Sequence, residues 1–240
     1  MILDRIEKLQ ALTVGILVVI AILMGAKLIT STISGNTISV TGSASEIVKS
    51  DSGSLDFNIQ TQGATKQEAY NKQQEQIKIV EKYLQDKKIT KIQRKTVNGY
   101  YNYKRDARGN YTEIPENYNM TQPYTISSDD VDLIKEISND ITGLISKGVD
   151  INVYNTSYNY SKLPELKVSL LEKASIDAKN RAASMLKATH NSVGKIQSVK
   201  MGVYQITPVD STDVSDMGIN DSTTIDKKVT AVANISFKIK

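Results

Sequence analysis

The chain has 240 residues, 40% of them hydrophobic and 23% charged, enough for a buried core and too evenly mixed for wholesale disorder. Its net charge of +4 is diffuse and offers no basic patch for nucleic acid. With no cysteine there can be no disulfide, thiolate metal site, thiol nucleophile or acylated-cysteine anchor.

Ala11 to Ala26 is free of charge, and Leu28-Ile29 extend the apolar stretch past Lys27. Nineteen positions at 1.5 Å each give about 28 Å, the hydrocarbon thickness of a bilayer. The expectation is an uncleaved transmembrane anchor over residues 11–29. A cleaved signal would need Met24 and Ala26 to flank the cut, and methionine fits poorly there. By default the short N-terminus lies inside and the folded domain outside the cell membrane, with Asp4 and Glu7 diluting the message of Arg5 and Lys8. The expected organisation is therefore 1–29 tip and anchor, 30–37 linker, and 38–240 a single extracytoplasmic domain.

Ile38 through Val48 reads as a first strand. Leu55, Phe57 and Ile59 alternate with Asp56, Asn58 and Gln60, the period of a half-buried second strand, with a turn at Asp51-Ser52-Gly53. Thr65-Lys66-Gln67-Glu68 is a capping box opening a helix that carries Ile77, Val80 and Leu84 on one face. Strands over Ile92–Tyr103 and Tyr118–Ser127 flank a polar loop, Lys104–Asn117. Ser128 or Asp129 caps a second helix bearing Val131, Ile134, Ile137, Ile141 and Leu144, ended by Gly148. A strand with Ile151, Val153 and three tyrosines follows. Pro164 starts the longest helix, whose stripe is Leu166, Leu170, Ala174, Ala178, Ala182 and Met185. Lys195–Ile206 and Val229–Ile239 close the chain as strands around an aspartate-rich loop. The order ββαββαβαββ, about seven strands and three helices behind a transmembrane helix, predicts an α+β domain rather than a wound parallel sheet.

These residues resemble the SIMPL-domain family of bacterial envelopes. The resemblance rests on the opening ISVTGSASEIVKSD (Ile38–Asp51), on Glu68-Ala69 in the first helix, and on Ala174-Ser175-Ile176-Asp177-Ala178 with Arg181-Ala182 in the long one. Val193-Gly194-Lys195-Ile196 and the closing VTAVANISFKI (Val229–Ile239) complete it. The segment Lys187–Ser192 is more polar than the family's transition out of the long helix. The resemblance implies an envelope protein, with relatives that are periplasmic immunogens, are linked to oxidative-stress tolerance, or assemble into large ring- or channel-like homo-oligomers. It supplies no catalytic residue.

The residues themselves supply none either. His190 is the lone histidine and sits at a helix end. Asp129, Asp130 and Asp132 complement a helix dipole better than they build a cation site. Asp210, Asp213, Asp216, Asp221 and Asp226 lack the spacing of an EF-hand and leave only weak calcium binding open. No phosphate loop, nucleophile elbow or paired-carboxylate motif is legible, so neither cofactor nor metal is expected. Tyr100, Tyr101 and Tyr103 beside Lys104 and Arg105, and Tyr154, Tyr158 and Tyr160 on one strand, are the candidate surface. They would pack across strands, form a subunit interface, or hold a wall glycan or anionic polymer. The expected function is a membrane-anchored, non-catalytic envelope protein that self-assembles; a monomeric binder of cell-wall polymer is the alternative, and an uncharacterised hydrolase a distant third.

Overall fold

The computed structural model of the chain describes residues 13–25 and 36–240. Residues 13–25 are helical, exposed through residue 24, and no helix among the described residues is long and apolar enough to cross a membrane. The rest of the expected anchor, 11–12 and 26–29, lies outside the described residues, as does most of the linker. The remainder is a mixed α+β chain, as its patterning implies. It runs β1 (Thr37–Lys49), β2 (Ser52–Gly63), α1 (Lys66–Asp86), β3 (Lys91–Arg94), β4 (Asn98–Arg105) and β5 (Tyr111–Ser128). Then come α2 (Val131–Asp140), a 3₁₀ continuation (Ile141–Lys147), β6 (Ile151–Asn159), α3 (Leu163–Lys187), β7 (Val193–Met201), β8 (Gln205–Pro208), β9 (Ile219–Asn220) and β10 (Asp226–Ile239).

Among the described residues ten strands replace the expected seven, because two of the expected strands break and a short one, β9, is added. Ile92–Tyr103 splits into β3 and β4, which pair with different stretches of β5. Lys195–Ile206 splits into β7 and β8, which pair with different stretches of β10. The expected loop Lys104–Asn117 is mostly strand, and β9 lies inside the aspartate-rich loop.

The chain divides into two compact units. One holds the described residues up to Ala44 with Leu171–Gly202 and Ala231–Lys240; the other holds Ser45–Leu170 and Val203–Thr230. In the first unit β7 runs antiparallel to the end of β10, placing Met201, Val199 and Ile196 opposite Ala233, Ile235 and Phe237. Its core is Val40, Ala174, Ala178, Ala182, Ala233, Ile235 and Phe237. Alanines recur at every fourth position of α3, a ridge of small side chains that lets a strand approach the helix backbone. The expected last member, Met185, is 59% exposed, and Leu186, which continues the four-residue step, is buried instead. His190 ends α3 with φ +57 while the Asn191 amide bonds the Leu186 carbonyl at 3.0 Å, the left-handed termination usually given to glycine.

In the second unit a sheet of order β3-β5-β2-β6, with β4 also on β5, buries one face. Leu55, Phe57 and Ile59 meet Tyr124 and Ile126 there, with Phe57 and Tyr124 stacked at 5.1 Å. Ile77, Val80 and Leu84 of α1, and Val131, Ile134 and Ile137 of α2, cover them. The Thr65 half of the capping box forms, Glu68 N–H donating to Thr65 Oγ1 at 3.2 Å, while the Glu68 carboxylate reaches one residue further back and accepts from the Ala64 amide at 2.9 Å. The cap of α2 is neither Ser128 nor Asp129 but Asp130, whose carboxylate accepts from Asp132 N and Leu133 N, both at 3.1 Å. The ladder with β2 runs to Ser128 and delays the helix start. Gly148, φ +81, ends the 3₁₀ turn as its position implies.

One core residue departs from the pattern. Gln73 of α1 is fully buried, and neither amide atom has a partner. An unpaired buried amide costs roughly 1–3 kcal/mol. Gln73→Met, unbranched and of similar volume, is therefore expected to raise stability by about 1–2 kcal/mol in urea denaturation; a decrease would show that the amide is satisfied in solution.

Candidate functional site

The hairpin of β4 and β5 is the most exposed tyrosine-bearing feature of the second unit. Its turn is built locally. Asp106 accepts from Arg108 N at 2.8 Å and Asn110 N at 2.9 Å, and Gly109 takes φ +85. These donors, Asn110 first, hold the Asp106 carboxyl below the usual carboxylate range. The sequence Asp-Ala-Arg-Gly-Asn carried that turn signal inside the segment read as a loop. The Arg105 guanidinium lies 4.4 Å from the centre of the Tyr111 ring, and its Nη2 donates to Tyr111 Oη at 2.7 Å. β2 pairs with β5 only from Tyr118 onward, so Asn102–Arg105 and Tyr111–Asn117 form an arm whose strands pair with each other.

The six candidate tyrosines do not form one surface. Tyr100 faces the same side as Asn119, whereas Tyr101 pairs with Tyr118 on the opposite side, the two rings edge-on at 4.7 Å. Gly99 makes room for that pair: a Cβ there would lie 2.5 Å from Tyr118 Oη. Tyr103 sits at a register shift opposite Pro115. In β6 a bulge at Asp56/Phe57 breaks the alternation that one shared face requires. Tyr154 is 56% exposed, Tyr158 is buried against Gly53, and Tyr160 lies past the strand end.

The acidic cluster at the start of α2 is occupied by protein donors. Asp129 takes Lys91 at 2.8 Å, Asp130 caps α2, and Asp132 takes Lys49 at 3.1 Å. Among the described residues no three His, Asp or Glu side chains are placed to hold a metal. An open cleft of about 660 Å³ is lined by Lys49, Asp132, Lys135, Tyr158, Asp210 and Asp226, a lining of mixed charge in which Asp132 and Asp226 both act on Lys49. Burial first, and Asp132 second, push the Tyr158 hydroxyl above its usual range.

One ionic site escaped the sequence reading. Asp221, in the loop expected to be solvated, is buried with Lys227, their side chains 8% and 4% exposed. Asp221 accepts from Thr223 N and Thr223 Oγ1, both at 2.8 Å, and from Thr224 Oγ1. Lys227 Nζ donates to the Asp221 carbonyl at 2.9 Å and approaches its carboxylate at 3.5 Å. Burial would raise the Asp221 carboxyl, but the threonine donors and Lys227 outweigh it and bring it down to about 2. Burial lowers Lys227 against the pull of Asp221. The run Asp-Ser-Thr-Thr, an acid followed by two hydroxyls able to turn back on it, was the available signal.

Comparison with known proteins gives a family and little beyond it. No curated protein matches the chain. Among solved structures it is similar to a putative amidohydrolase/peptidase from Burkholderia cenocepacia, with 16% identity, TM-score 0.27, and 66% of this chain and 37% of that one covered. It is also similar to AtUAH in complex with glyoxylate, with 14% identity, TM-score 0.23, and 66% and 36% covered. The chain thus spans little more than a third of either, and at these TM-scores neither bears on its chemistry. The family model described as SIMPL, protein of unknown function (DUF541), matches residues 38–237, nearly all of the folded part, and the chain belongs to that family.

Proposed function

We propose that this is a membrane-anchored, non-catalytic protein of the cell envelope that assembles with copies of itself. The β4–β5 arm carries the reading. Its distal residues pair with each other, yet Tyr103, Tyr111 and Ile114 stand 41%, 70% and 58% exposed on it. Aromatic and aliphatic side chains on a narrow two-stranded ribbon are poorly stable alone and gain by burial against a second surface. A second copy is the surface always at hand, and closed symmetry would limit the assembly. The apolar stretch 11–29 supports attachment to a bilayer, with the folded part extracytoplasmic.

Light scattering of the detergent-extracted full-length protein, beside residues 37–240 alone, tests this. The expected result in both is a discrete mass several times that of the corresponding single chain, 26.5 kDa at full length. The triple variant Tyr103→Ser, Tyr111→Ser, Ile114→Ser is expected to fall to the mass of one chain while keeping the parent's circular dichroism. Monomers from both parent samples would refute self-assembly, and assembly of the full-length protein alone would move the contact into the N-terminal segment.

A further inference from the structure

In the second unit the sheet face opposite α1 and α2 carries neither of those helices, and register assigns its side chains. From β4 come Asn98, Tyr100 and Asn102; from β5, Asn117, Asn119 and Thr121. β2 adds Asp56, Asn58, Gln60 and Gln62 opposite that stretch, and β6 adds Asn152, Asn155, Ser157 and Asn159. Eight of the sixteen asparagines of the chain thus lie on one sheet face, a bias that solvation alone does not require. Solvated sheet faces favour threonine and charged side chains, and asparagine is depleted in strands.

The face carries almost no free charge. Asp56 accepts from Thr125, from Asn155 at 3.2 Å and from Lys95 at 3.4 Å, and Lys91 is taken by Asp129. Two cross-strand pairs, Asn102–Asn117 at 2.9 Å and Ser54–Ser157 at 2.8 Å, hold neighbouring side chains in place. The amides of Asn98, Asn119, Gln60, Gln62 and Asn152 make no hydrogen bond with the described residues. Each amide offers both donors and an acceptor. Tyr100, 61% exposed, adds an aromatic ring at one edge. We propose that this face is a platform for a neutral polysaccharide. Its rows of donor–acceptor amides suit vicinal hydroxyls, its ring suits the apolar face of a sugar, and its lack of free charge disfavours an anionic polymer. The site does not depend on self-assembly, since the arm residues invoked for that lie beyond it.

Depletion of the full-length, detergent-solubilised chain by insoluble cellulose and chitin, with polyphosphate resin as the anionic comparison, tests the proposal. The expected result is retention on a neutral glycan, insensitive to salt and competed by a soluble hexasaccharide of the same sugar. Tyr100→Ala is expected to weaken retention about tenfold, the scale of one lost aromatic contact, and Asn119→Asp to weaken it as well. Tyr70→Ala, on the exterior of α1, should change nothing. Circular dichroism melts and light scattering accompany each variant. Retention on neither glycan, retention on polyphosphate alone, or equal loss in Tyr70→Ala would overturn the platform. So would dissociation of an oligomer by Asn119→Asp, which would make the face a contact between copies.

Discussion

Gly42→Ala is expected to destabilise the first unit by about 3 kcal/mol or more, among the most damaging single-methyl additions available to this chain. A Cβ at Gly42 would lie 2.2 Å from the Ala174 carbonyl oxygen and 2.4 Å from the Ala178 amide nitrogen. Both are helix backbone, so no side-chain rotation can relieve the clash; β1 and α3 would have to separate by more than an ångström. That separation would open the contact of Val40 with Ala174, Ala178 and Ala182, where dispersion falls off steeply with distance. The close approach is pinned beside it. Asp177 accepts from Ser43 N at 2.9 Å and from Arg181 Nε at 2.7 Å, and these donors, the Ser43 amide first, keep its carboxyl low. Gly143→Ala is the control: nothing lies within 4 Å of its added Cβ, and stability should stay level or rise by a few tenths of a kcal/mol. Thermal unfolding by circular dichroism distinguishes the two, and hydrogen exchange should place the Gly42→Ala loss in β1 and α3. A Gly42→Ala melt superimposable on the parent would disprove the close approach.

The same residues show what a sequence can and cannot reveal here. Leu55, Phe57 and Ile59, and the rows on α1 and α2, were legible because alternation and four-residue spacing are properties of a segment alone. The alanine row of α3 was legible too, but its end was not. Met185 and Leu186 are both apolar, and only the line along which the strands cross the helix selects Leu186. The shared face expected of Tyr154, Tyr158 and Tyr160 does not form, for a similar reason. Alternation predicts that Tyr100 and Tyr101 part company, as they do, but the bulge in β6 depends on its pairing with β2 and leaves no mark in Tyr154–Tyr160 itself. The amide face was hidden because its members come from four strands spread over a hundred residues; each asparagine alone reads as a turn or a solvated site.

Removing the Asp221 carboxylate is expected to cost about 3 kcal/mol at neutral pH, because it strands the Lys227 ammonium in a place closed to water. Lys227→Met should cost less: Asp221 would keep the Thr223 amide and the Thr223 and Thr224 hydroxyls, while the penalty of burying an ammonium disappears. The two shifts act with opposite sign. Asp221 is lowered from 3.8 to about 2 in the folded chain, so its contribution is complete above the unfolded value and is lost as pH falls through about 2. That is about 2 kcal/mol by linkage. Lys227 is lowered from 10.5, so its charge weighs against the fold through neutral pH, and the penalty is relieved only as pH rises through its folded value. Urea denaturation of the parent and of Asp221→Asn across the acid range tests the first sign. The gap between the two should be widest above pH 4 and should narrow as the parent's carboxylate takes up its proton. Curves that stay parallel into strong acid would mean that Asp221 titrates alike in folded and unfolded chains, and would put that carboxylate at the surface.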